Sequence, residues 1–373
     1  MKPRLNYRLV VLLVLLVGLA IREVALEQRP SFLRPGLHLF AYAANTAEGT
    51  VTAVDLVRLA PVATIAVGAD PAGLRTNPTR KEIWGVSTSG GYAWVLDEKS
   101  NQVVARIPAG IAPAALELSP DGKRAYVAAS GSNAVVAIDC ATRQVVARGR
   151  TGARPQAARL SPDGTVLVVS NHDDATVSLF DAASLAVKGV IPVAPNPEKI
   201  VILPDGSKAF VASGSDRQIS VVDLKQKALV ARLGIGETAD DLILKPDGGE
   251  LYIASRSAHG VIVVNTQTNE VGDYLLLGMS PAAATLTQDA QTLYVSDAAA
   301  GHVVPVSIAV RQPEHVIPVG QSPGACRLTP GEEMLLVADT ASGDLAVIRA
   351  KTSNLITLIP TGAAPRDLVT AVF

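Results

Sequence analysis

Large rings are scarce in this chain: Phe, Trp and Tyr make up 4% of its 373 residues, although apolar residues as a whole make up 48%. A core assembled mainly from Val, Ile, Leu and Ala suits flat, layered packing of β-structure better than a pocket walled by aromatics. Charge of one sign is lacking too. With 33 basic and 34 acidic residues the net charge is -1, and no basic run follows the first residues, which argues against nucleic acid as a partner. Histidine occurs 5 times, with no regular pair and no Cys-x-x-Cys-His. A metal or haem needs convergent ligands, so His172, His259 and His302 read as loop residues and no cofactor is called for. Only one long apolar run exists, LVVLLVLLVGLAI at residues 9–21, behind Lys2, Arg4 and Arg8.

What the chain has in abundance is self-similarity. YAAN at Tyr42, WGVS at Trp84, YVAA at Tyr126, VVSN at Val168, FVAS at Phe210, YIAS at Tyr252, YVSD at Tyr294 and LVAD at Leu336 start eight units spaced 42 residues apart, without an insertion or deletion. Within a unit, four short β-branched or alternating runs are separated by small and polar breakers, and none is long enough for a helix. A fixed period in this range, filled by four strands, marks radially repeated four-stranded sheets.

The breakers carry turn chemistry. SPDG at 119–122 and 161–164, LPDG at 203–206 and KPDG at 245–248 place Pro, Asp and Gly where a type I turn uses them. Gly68, Gly110, Gly152, Gly236, Gly278, Gly320 and Gly362 open the loops that carry the chain from one blade's outer edge to the next blade's innermost strand. Pro71, Pro113, Pro155, Pro281, Pro323 and Pro365 follow three residues later; Ala239 stands in for proline after Gly236, and Ala194 for glycine before Pro197. Glycine should supply the unusual backbone angles of these loops. Asp55, Asp97, Asp139, Asp181 and Asp223 share one phase, but on separate blades they cannot converge on an ion and read as turn caps.

With its YVAA, FVAS, YIAS and YVSD starts, xVxVID second runs, VVARI third runs and PDG turns, the stretch from 42 to 373 resembles the YVTN family of β-propeller repeats. That resemblance implies an exported or cell-surface binding platform, and related propellers include lactonases and haem or quinone enzymes. Family members are typically similar to seven-bladed rings, the alternative here; the repeat count gives eight blades, in one all-β propeller over 42–373. PSFLRP near residues 30–35 is unsuited to an inner strand because of its two prolines, so RDLVTAVF at 366–373 should complete blade one and close the ring. On that map Cys140 and Cys326 lie three blades apart, too far for a disulfide, and read as small buried hydrophobes.

Residues 1–30 read as a signal peptide or an uncleaved N-terminal membrane anchor, and 31–41 as a linker; either way the propeller is expected outside the cytoplasm, in the periplasm or at the cell surface. The candidate site is where the repeat fails to repeat. At the mouth of the central channel, Asn196, Glu198, Glu237, Asp240 and Asp241 cluster on blades five and six, against Arg154 on four, Arg366 on one and Asp70 on two. Deeper, Arg75, Glu117, Arg159 and Arg327 should line the wet channel. They read either as a mutual pairing network or as the holder of an anion. The expected function is a non-enzymatic binding scaffold for a protein or a polar, dipolar envelope ligand, touching membrane only through its N-terminal segment. The alternative is a propeller enzyme, a lactonase-like hydrolase or a haem or quinone oxidoreductase. For hydrolysis, Glu198, Glu237, Asp240 and Asp241 lack an evident nucleophile. The haem reading has only His172 as an axial candidate. Two tryptophans, Trp84 and Trp94, fall short of a quinone enzyme's one per blade.

Overall fold

A computed structural model describes residues 38–214 and 216–372; the apolar leader, with its signal-or-anchor reading, lies outside the described residues. Among these, thirty-three strands run from β1 (Leu39–Asn45) to β33 (Pro365–Val372), with two 3-10 turns at Ser130–Ser132 and Ala350–Thr352 and no α-helix. They form eight antiparallel sheets arranged as the blades of a single propeller, numbered I to VIII here. In blade II the order from axis to rim is β4 (Pro71–Thr76), β5 (Glu82–Ser87), β6 (Tyr92–Asp97) and β7 (Gln102–Pro108), and the other blades follow suit.

Blade I closes the ring as the sequence predicts. Its two middle and outer members, β2 (Thr50–Asp55) and β3 (Ala60–Ala66), follow β1, but its innermost strand is the C-terminal β33, paired with β1 from Leu39↔Val372 to Asn45↔Pro365. The two ends of the described chain are thus held in one sheet.

Middle strands are buried along nearly their whole length, with half-buried ends in strands such as β6, whereas outermost strands alternate. That is why the second and third runs of each unit read as near-continuous Val, Ile, Leu and Ala. Eight apolar clusters result, one between each pair of neighbouring blades. The few aromatics are placed where they join blades. Tyr126 Oη donates to the Ala182 carbonyl at 2.8 Å and Tyr294 Oη to the Ala350 carbonyl at 2.9 Å, each in the next blade's outer turn. Tyr252 Oη instead donates to Glu250 at 2.6 Å, and Glu250 is gripped by Arg311 of the next blade at 2.7 Å. Trp84 Nε1, Glu82 and Arg143 repeat that arrangement at 3.1 and 3.2 Å.

The in-phase aspartates cap turns: Asp139 Oδ1 accepts from the backbone N–H of Ala141 and Thr142 at 3.0 and 2.8 Å, and Asp55 and Asp223 do likewise. Both cysteines are free and buried, and burial pushes each thiol up, Cys140 to about 12.

Candidate channel-mouth site

The loops between outermost and innermost strands and the hairpins between second and third strands share one face, and together they form the rim of the channel. Glycine carries positive φ in five of the inter-blade loops, at Gly68, Gly110, Gly236, Gly278 and Gly362. It does not in the loops of Gly152 and Gly320, where the left-handed residues are Arg154 and Ser322, at φ 52° and 55°. The residue just before the strand-opening proline is left-handed on most blades, Asp70 (52°) and Asn196 (54°) among them. Three of the mouth positions expected to bind therefore also make the turn that starts an innermost strand. Blade VI lacks the proline, and its innermost strand β20 (Asp241–Leu244) is two residues shorter than the six-residue β4.

The predicted mouth residues fall into separate groups. Arg154 Nη2 contacts His172 Nε2 at 3.0 Å, His172 Nδ1 meets Asp173 at 2.7 Å, and Glu198 stands 3.6 Å from His172 Nε2. This cluster bridges blades IV and V; Arg154 and Asp173 also edge a hollow of about 660 Å³ beside blades II to IV. Asp70 accepts a hydrogen bond from Ser89 on its own blade. Asn196 and Glu237 line neither this hollow nor the larger cavity described next.

Asp240, Asp241, Arg366 and Arg327 come together. They line a cavity of about 770 Å³ that reaches from the rim into the channel across blades V to VIII and I. Its volume comes from small side chains, Ala282, Ala283, Ala298, Gly324 and Ala325, where two blades present no bulk to the axis. Lys199 and Arg256, not singled out in the sequence, complete the charged lining; repeat comparison could have found Lys199, which stands at the innermost-strand position held by alanine in Ala115, Ala157, Ala283 and Ala325. The two aspartates are occupied. Asp240 Oδ2 accepts from the backbone N–H of Arg256 at 2.8 Å and from Thr238 Oγ1 at 3.0 Å, and its other oxygen meets Arg256 Nε at 3.4 Å. Asp241 accepts from the backbone N–H of Leu242 and Ala284 at 2.9 and 3.2 Å, with Lys199 Nζ at 3.8 Å.

Deeper in the channel, Glu117 Oε2 joins Arg75 Nε at 3.3 Å and Arg159 Nη1 at 3.4 Å, so the pairing network read from the sequence is formed. Arg327 is outside it: its Nε donates to the Leu368 carbonyl at 2.8 Å, on the closing strand. Desolvation in the channel lowers the Arg159 pKa from the guanidinium's ordinary value, with Arg75 and Arg327 adding to the lowering and Glu117 opposing it.

No histidine lines the 770 Å³ cavity, and among the described residues no three His, Cys, Asp or Glu side chains are grouped to hold a metal ion. The one thiol on its wall, Cys326, is held protonated by burial and points to the Tyr294 carbonyl. His172, the one histidine considered as a haem ligand, belongs to the blade IV–V cluster and not to this cavity.

Comparison with known proteins places this architecture. Similar in fold are a dihydro-heme d1 dehydrogenase, NirN, in complex with DHE (TM-score 0.77, 17% identity, covering 92% of this chain and 77% of that one) and the hydrazine synthase of Kuenenia stuttgartiensis (0.60, 17%, 75% and 95%). A functionally unknown protein from Desulfotomaculum acetoxidans DSM 771 is similar as well (0.60, 13%, 89% and 98%). At these identities the likeness is one of fold. No curated protein matches the sequence. The family profile described as YNCE-like beta-propeller matches residues 30–246, more than half of the chain, and on that match the protein belongs to the YNCE-like β-propeller family.

Proposed function

We propose that this propeller is an exported, non-enzymatic binding scaffold that takes a polar ligand, or a loop of a partner protein, into the cavity on the blade V–I side of its channel mouth. One observation carries the reading: the repeat gives up bulk at Ala282, Ala283, Gly324 and Ala325 and gathers six charged side chains around the space. Such a concave site with a few convergent polar groups is where ligands are usually taken. The YVTN-like repeats and the leader with Lys2, Arg4 and Arg8 support the envelope location. An enzyme reading draws less support, because Asp240 and Asp241, two of the four carboxylates considered for the hydrolase alternative, are already engaged by backbone amides, the Thr238 hydroxyl and cations.

Ala282→Trp fills the cavity from its wall, and Arg366→Glu reverses a rim charge that has no partner among the described residues. Retention from a cell-envelope extract should drop for both variants while their melting temperatures stay near wild type. Unchanged retention by both would move the site to the blade II–IV hollow or to the outer edges. A reporter fused to the C-terminus tests export: activity confined to the cytoplasm would contradict it.

A further inference from the structure

We infer that the blade V–I cavity selects a small organic dianion, gripped between Arg327 in the channel and Arg366 at the rim; this rests on the mouth-binding reading above. Four cations line the cavity, Lys199, Arg256, Arg327 and Arg366, against two carboxylates, Asp240 and Asp241. Each carboxylate already has its own cation, Arg256 on Asp240 at 3.4 Å and Lys199 on Asp241 at 3.8 Å, and each also accepts two neutral hydrogen bonds. An ammonium group entering here would have to displace a resident cation. Asp240 and Asp241, the part of the mouth's acidic side that lines this cavity, are therefore internally neutralised.

The two remaining arginines are the surplus. Arg327 spends its Nε on the Leu368 carbonyl, a neutral partner, and lies opposite Arg159 across the channel, blade VIII facing blade IV. Arg159 shares its ion-paired carboxylate, Glu117, with Arg75, and Asp367 is the other carboxylate acting on it, so the guanidiniums of Arg75, Arg159 and Arg327 outnumber the two carboxylates around them. Arg366 has no partner among the described residues. A guanidinium presents a planar fork of donors suited to carboxylate or phosphate oxygens. Two such forks in one cavity suit a molecule with two acidic groups, and the small walls of Ala282, Ala283 and Gly324 leave room for a carbon skeleton between them.

Titration calorimetry on the whole propeller tests this with inorganic phosphate, succinate, glutarate, neutral succinamide and zwitterionic glycylglycine. Succinate or glutarate should bind at least tenfold more tightly than glycylglycine, with affinity falling as salt rises. Arg366→Gln and Arg327→Gln should each weaken that binding about tenfold or more, Arg366→Lys should restore part of it, and Arg58→Gln, on the far face, should change nothing. Phosphate binding as tightly as the dicarboxylates would reduce the class to single oxyanions and contradict the two-fork grip. If glycylglycine or succinamide binds at the cavity and the dianions do not, the dianion inference fails while the mouth reading stands. Dianion binding that ignores both arginine variants overturns the inference as well. If no probe binds and Ala282→Trp leaves extract retention unchanged, both fall together.

Discussion

Asp339 and Asp344 face one another across β30 (Met334–Asp339) and β31 (Asp344–Arg349), where neighbouring residues pair in register. Asp339 is fully buried, its Oδ2 accepting from the Gly320 amide at 3.0 Å; the Oδ1 atoms of both aspartates have no other partner. Burial, followed by the hydrogen bond to Asp344, pushes Asp339 up to about 8, so Asp339 keeps its proton at neutral pH. Blades I and IV solve the same position with asparagine: Asn45 Nδ2 donates to Thr52 Oγ1 at 2.8 Å and Asn171 Nδ2 to Ser178 Oγ at 2.9 Å. The folded state holds a proton that unfolded aspartate gives up near pH 4. Stability from this group is therefore complete below about pH 4 and drains away as pH rises through about 8. Glu98, raised to about 7 mainly by burial, has the same sign. Asp339→Asn should flatten the decline in unfolding free energy between pH 5 and pH 9 by on the order of 3 kcal/mol, measured by denaturant titration at each pH. Parallel declines in wild type and mutant would contradict the assignment. Nothing in the sequence marks this pair, since Asp297 occupies the same phase one blade earlier and there pairs with His302 at 3.2 Å. The distinction lies in residue 344, five positions on.

Strands and turns were the most legible level. The PDG hairpins, the aspartate caps and the continuous apolar runs of the middle strands follow from local rules, because each turn is closed by residues within about five positions of itself. The long-range role of the repeat's leading aromatic was not legible: the Tyr126 hydroxyl finds its partner 56 residues ahead, in the next blade. Nor did the pattern reveal why blade II has a glycine within WGVS. A methyl on Gly85 would come within 2.2 Å of the Trp94 ring, which is fully buried beside it. Gly85→Ala should cost roughly 1–3 kcal/mol or more and shift tryptophan emission to longer wavelength as Trp94 moves. Unchanged stability and emission would mean the ring has room to spare. The opposite effect is expected in the hairpin of blade IV. Ala175 holds φ 50° where Gly49, Gly91, Gly301 and Gly343 serve other blades. Relief of about 1–2 kcal/mol of left-handed strain exceeds the entropy glycine adds to the unfolded chain, so Ala175→Gly should gain about 0.5–1 kcal/mol. A loss in denaturant titration would overturn that.

At the scale of the whole ring, a strict 42-residue period sufficed to count eight blades and to assign the closing strand, because each unit supplies one strand to its neighbour. The closing strand buries Leu368, Val369 and Ala371. Deletion of residues 366–373 should therefore cost several kcal/mol, at roughly 1.5–3 for each large apolar side chain lost, and broaden thermal unfolding; an unaltered midpoint would refute closure. The site was legible only in part. Departures from the repeat located Asp240, Asp241, Arg327 and Arg366, but composition by position could not tell which charges neutralise each other. It also could not foresee that Arg154 and Glu198 would be drawn to His172 on the other side of the mouth. Pairing depends on side-chain reach across blades, which a repeat alignment does not encode.

The claim that binds these levels together is that ligand or partner enters at the blade V–I side of the mouth. Hydrogen–deuterium exchange on the complex captured from envelope extract, compared with the free propeller, addresses it most directly. Exchange should slow in the loops spanning residues 236–241, 278–283, 320–324 and 362–366, with the outermost strands unchanged. Protection confined to an outer strand such as β23 (Glu270–Leu276), whose Tyr274 and Leu276 are exposed, with those loops unaffected, would contradict it.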